Sequence, residues 1–145
     1  MRASAYEVER IETLIAYASA NAEAYREAAN DAEGFRAAAP LAHRAQERRT
    51  VAAHLRAYLG AAPADEPSGE HGAPVPGRRA AAPTDAEVVE AAGRDEAALL
   101  AAFEAALGDD ALSARARETV CKAYVAVRTG ADQMRDLCRA LGRGS

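Results

Sequence analysis

The chain has 145 residues, half of them hydrophobic, which is enough for one domain with a buried core. Its net charge of −4 and pI near 5.4 lack the basic excess of a nucleic-acid binder. No run approaches the ~20 apolar residues needed to span a bilayer, so the sequence predicts neither a nucleic acid nor a membrane as partner.

Aromatic residues make up only 5% of the chain, Trp is absent, and Ala carries much of the apolar fraction. Ala favours helices and disfavours strands, so composition alone predicts an all-α protein. The first helix is expected over residues 6–30, with an apolar stripe of Val8, Ile11, Leu14, Ile15, Ala18, Ala22, Tyr25 and Ala29. Asn30 and Asp31 mark a stop and restart. The second helix is expected over residues 33–59, closed by Gly60, with Leu41, Ala45, Arg48, Ala52, Leu55 and Leu59 along its stripe. Pro40 either falls in its first turns or kinks it, and Gly34 loosens the same region. Arg44, Arg48, Arg49 and Arg56 form a modest basic cluster, of the kind that usually lies on a solvated face beside acidic partners.

Residues 61–83 change character. They hold five of the six prolines and three of the ten glycines, with Val75 the single large aliphatic residue, and read as a flexible crossover. Thr84 and Glu87 then form a capping box opening the third helix, expected over 84–107. Its stripe is Val88, Val89, Ala92, Glu96, Leu99, Phe103, Ala106 and Leu107, and Gly108 ends it. Asp109 and Asp110 make a turn, Ser113 is an N-cap, and the fourth helix is expected over 113–141 with Val120, Val127, Met134, Cys138 and Leu141 inward. Two short turns make two antiparallel hairpins. The 23-residue connection between them allows helices 2 and 3 to run parallel.

The phrases ETLIAYASANAEAYREAA, HRAQERRTVAAHLRAYLG, RDEAALLAAFEAALGD and QMRDL together resemble a bacterial family of ferritin-like four-helix bundles described as a domain of unknown function. The resemblance implies a ferritin-like antiparallel four-helix bundle with one long crossover between helices 2 and 3. It implies no activity.

A ferritin-like bundle raises the question of a di-iron centre, built from one Glu on each of two helices and Glu-x-x-His on each of the others. The chain contains no Glu-x-x-His. The substitutes are His43, Glu47 and His54 on helix 2 and Glu118 with Cys121 on helix 4, but helical geometry turns Glu47 about 110° from its stripe and the others outward as well. A divergent iron or manganese site could draw only on Glu23, Glu47, His54 and Glu96. The expectation is no metal and no other cofactor. One carboxylate does point inward: Glu96 lies within about 30° of its stripe, and Arg48 sits at the same depth on helix 2. A buried carboxylate needs a partner, so the prediction is an Arg48–Glu96 ion pair at mid-bundle.

No nucleophile has recognisable partners, and no catalytic residue is assigned. Cys121 and Cys138, 17 residues and about 25 Å apart on one helix, cannot bridge each other. Two free thiols, with an N-terminus unlike a signal peptide, predict a cytoplasmic protein. Cys138 is expected to be buried and inert and Cys121 exposed. The functional expectation is a non-catalytic, stress-associated or partner-binding bundle. The alternatives are a divergent carboxylate metal protein or a self-assembling scaffold, for instance a homodimer through the exposed side of helix 1 at Tyr6 and Tyr17.

Overall fold

The structure, a computed structural model, describes residues 4–60 and 84–143, and all its regular elements are helices: α1 (Ala5–Asp31), α2 (Phe35–Leu59), α3 (Asp85–Leu107) and α4 (Ala114–Arg143). Among the described residues no helix is long and apolar enough to cross a membrane. The predicted flexible crossover at 61–83 lies outside them.

Local chemistry accounts for the helix ends. The Ser4 hydroxyl accepts the Glu7 N–H at 3.1 Å and opens α1. Thr84 and Glu87 satisfy each other's backbone N–H groups at 3.1 and 2.8 Å, the reciprocal cap expected from the sequence. Ser113 Oγ accepts the Ala116 N–H at 3.1 Å at the start of α4. Gly60 closes α2 with φ of 77°, a left-handed geometry that a side chain would strain.

The start of α2 departs from expectation. It begins at Phe35 rather than 33 and runs continuously through Pro40. Gly34 supplies no side chain to cap α2. Instead the Asp85 carboxylate accepts the N–H groups of Glu33 and Gly34, both at 2.9 Å. A Cβ at Gly34 would lie 2.9 Å from Asp85 Oδ2, so a side chain there would push against the carboxylate that caps this turn.

The same contacts orient the helices. Asp85, at the start of α3, meets the α1–α2 turn. At the opposite end Tyr6 donates to Asp109, Arg10 Nε lies 3.2 Å from the same carboxylate, and the Glu7 carboxylate accepts the Ser113 N–H at 2.5 Å. The α1 start therefore meets the α3–α4 turn, which makes α1 antiparallel to α3 and α2 parallel to it. The helices pack around a ring in the order α1, α2, α4, α3, with α2 and α3 barely touching across the centre.

The core divides into two apolar clusters. One gathers Ile11, Leu14, Val51, Leu55, Leu99, Phe103, Leu112, Val120 and Val127. The other gathers Tyr25, Ala28, Ala37, Leu41, Val88, Val89, Ala92 and Met134. Between them each helix contributes a residue that is not a hydrophobe: Asn21, Arg48, Glu96 and Gly130, all buried.

Candidate functional site

Arg48 is the largest of the fully buried side chains, at 0% exposure, and Glu96 is 2% exposed. Arg48 Nη2 pairs with Glu96 Oε1 and also donates to the Val127 carbonyl at 3.2 Å. Its Nε donates to Asn21 Oδ1 at 3.0 Å, and its Nη1 donates to Glu47 Oε1 at 2.8 Å. One guanidinium thereby ties all four helices together. A planar cation with five fixed donors suits such a role better than a lysine would.

Tyr25 donates its hydroxyl to the other Glu96 oxygen, and the Arg48 guanidinium carbon lies 6.0 Å from its ring centroid. Arg44 extends the network outward. Its Nη1 meets Glu47 Oε1 at 2.5 Å and its Nη2 donates to Gln133. The reading of the basic cluster as a solvated face is corrected for Arg44, which is buried like the stripe residue Arg48, whereas Arg49 is exposed and Arg56 is half-buried, donating to Ser19 Oγ at 3.3 Å. Glu47 is likewise no simple surface residue, because its carboxylate bridges the two buried arginines.

Space for this network comes from Gly130. A Cβ there would approach Arg44 Nη1 and Arg48 Nη2 to 2.8 Å and Arg44 Cδ to 2.9 Å. Asn21 and Gly130 escaped the sequence reading, although both had a signal: Asn21 is three residues past Ala18 and four before Tyr25, and Gly130 is three past Val127 and four before Met134, so both occupy stripe positions.

The metal candidates do not converge. Glu23 lies on the half-exposed flank of α1 and pairs with Arg26 at 2.5 Å, while His43 and His54 are exposed on α2. Glu118 and Cys121 are exposed on α4, with Glu118 3.9 Å from Lys122. Glu47 and Glu96 both engage the Arg48 guanidinium. Among the described residues no three His, Cys, Asp or Glu side chains gather closely enough to hold a metal ion. Tyr6 and Tyr17 are each about half exposed, but the Tyr6 hydroxyl is engaged by Asp109. Cys121 is exposed, whereas Cys138 is half-buried rather than sealed in the core.

The fold has a counterpart among solved structures. A crystal structure titled "putative spore coat protein", from Bacillus halodurans, superposes with a TM-score of 0.75 at 15% sequence identity, covering 98% of this chain and 91% of that one. Its four-helix fold is shared. No protein-family model matches the chain, and no curated protein matches it in sequence.

Burial raises the Tyr25 phenol well above its ordinary value, and the charge and hydrogen bond of Glu96 raise it further. A group whose folded pKa is raised contributes stability that is complete below its unfolded value, near 10 for tyrosine, and is lost as pH climbs beyond it. Urea unfolding at pH 9, 10 and 11 should therefore show the wild-type midpoint falling more steeply than that of Tyr25→Phe. Equal slopes would contradict the buried Tyr25–Glu96 contact.

Proposed function

We propose that this chain is a ferritin-like bundle with one long crossover, and that it acts as a non-catalytic structural or partner-binding protein. The topology is supported by the parallel directions of α2 and α3, which put the end of α2 and the start of α3 at opposite ends of the bundle. A 25-residue helix is about 37 Å long, and 23 residues can reach about 76 Å when extended.

The Arg48 guanidinium carries the functional reading. A dinuclear carboxylate centre needs inward carboxylates with free oxygens and histidines beside them. Here the inward carboxylates of Glu96 and Glu47 already hold a permanent cation, and no histidine accompanies them. The donor set does not fit a metal pair. The coat-protein title of the structure with the shared fold favours the structural side of this reading.

Elemental analysis tests it, using protein expressed in iron- and manganese-supplemented medium and purified without chelators or a histidine tag. The expected content is well below one transition metal per chain. About two equivalents, the stoichiometry of a dinuclear centre, would overturn the proposal.

A further inference from the structure

The four helices differ in the sign of their charge. α1 carries six acidic residues against two arginines, and α3 six against one. α2 has the opposite balance, five arginines against one glutamate, and α4 has seven basic residues against three acidic. Because the ring order is α1, α2, α4, α3, the two acidic helices are neighbours and so are the two basic ones. The bundle is therefore polarised across its width, with an acidic α1–α3 side and a basic α2–α4 side.

The polarity reaches the surface. α2 exposes Arg36 and Arg49 but no acid, since its single carboxylate, Glu47, is half-buried against Arg44 and Arg48. Gln133 accepts from Arg44 and so marks the side of α4 that meets α2. Arg115 and Lys122, both exposed, fall within about 20° of Gln133 around that helix, and Arg36 and His54 fall within about 20° of Glu47 around α2. On the other side, Tyr6 reaches Asp109 at the end of α3, and Tyr17, Ala24 and Asp31 align with Tyr6 to within about 20°. Glu9 and Glu27 crown the outer edge of α1, each about 180° from the buried Ala18. Asp95 lies about 180° around α3 from Glu104, the residue that accepts the Tyr124 hydroxyl of α4.

Two further properties suit these faces to each other. Tyr6 and Tyr17 stand about half exposed on the acidic face, and phenol rings pack well against arginine and histidine. A face two helices wide and 25 residues long covers about 700 Å², close to the roughly 800 Å² per partner of a standard interface. Pairing either face with its own kind would set like charges against each other, which disfavours a two-fold dimer through them.

We propose that copies of this chain stack head to tail, the acidic α1–α3 face of one docking on the basic α2–α4 face of the next. The two faces lie on opposite sides of the bundle, so each added copy still presents one of each and the assembly is open-ended. A second copy is thus the partner in the partner-binding reading above.

Light scattering of the full chain at about 0.01 M salt, where charges act over about 30 Å, tests the contact. The mass should climb with concentration past twice the monomer's 15.2 kDa without a plateau. At about 1 M salt, where that range falls to about 3 Å, it should return to the monomer. Arg36→Gln with Arg115→Gln and Lys122→Gln blunts one face, and Glu9→Gln with Glu27→Gln and Asp95→Asn blunts the other. Both triple variants should keep the helical circular dichroism, because all six residues are exposed. Each alone should stay monomeric. An equal mixture should stop at twice the monomer mass, since only one competent pair of faces remains in it. A constant monomer mass at low salt would overturn the assembly. A plateau of the unmodified protein at two copies, or variants that assemble as it does, would overturn the head-to-tail contact. Mass and metal content are separate readouts, so a metal-free monomer refutes the assembly and leaves the proposed function standing.

Discussion

Replacing Arg48 with methionine should destabilise the protein by about 3–5 kcal/mol, because the substitution leaves a buried carboxylate without its cation. Glu96 is 2% exposed, so water solvates its carboxylate poorly once the guanidinium is gone. Asn21 Oδ1 and the Val127 carbonyl lose their donor at the same time. Glu47 suffers less, because it is partly exposed and keeps Arg44. For a chain of this size the loss corresponds to a fall in Tm of roughly 6–20 °C. The informative comparison adds Glu96→Gln, which keeps an oxygen acceptor for Tyr25 but removes the charge. In the double variant no unpaired charge remains, so it should be more stable than the sum of the single losses predicts, by about 1.5–3 kcal/mol. Urea unfolding of the wild type, both single variants and the double variant measures that coupling. Strict additivity would mean that Arg48 and Glu96 do not sense each other.

The reason such a pair could be anticipated is that helical periodicity exposes exceptions. Arg48 and Glu96 interrupt otherwise apolar stripes at equal depth, and a buried charge must be compensated. The same reasoning delivered the capping box at Thr84, the glycine stop at Gly60 and the cap at Ser113, since each is a local pattern with a local physical cause. Long-range polar contacts were not legible. Glu7 looks like a first-turn acid of α1, and nothing in its neighbourhood announces that it accepts the Ser113 N–H from another helix. Asp85 looks like a helix-opening acid, yet it also fastens the α1–α2 turn. Arg44 illustrates a different failure. It lies three residues past Leu41 and four before Arg48, yet its charge and basic neighbours suggest a surface position; its long side chain reaches inward where a neighbouring helix offers space. That space is Gly130 on α4, whose stripe position turns it inward.

Gly130 supports the second large prediction, which reverses a general rule. Glycine inside a helix normally costs about 0.5–1 kcal/mol relative to alanine, so Gly→Ala substitutions there usually stabilise. Gly93 should obey the rule, because its added methyl group enters open space. Gly130→Ala should instead destabilise by about 2–3 kcal/mol, the helix-propensity gain being overwhelmed by overpacking. The new methyl group would press on Arg44 Nη1, Arg44 Cδ and Arg48 Nη2 at 2.8–2.9 Å. Terminal guanidinium atoms can ordinarily swing aside, but these cannot do so freely. Arg44 is held by Glu47 and Gln133, and Arg48 by Asn21, Glu47, Glu96 and the Val127 carbonyl. Any displacement of Arg48 therefore disturbs the Glu96 pair at the centre of the bundle. Urea unfolding of Gly93→Ala and Gly130→Ala side by side decides the matter, with opposite signs expected. A stabilised Gly130→Ala would show that the arginines do not pack against this glycine. Arg44 accounts for two of the three close approaches, so adding Arg44→Ala should recover part of the loss, whereas the same substitution alone should destabilise by removing the partner of Gln133.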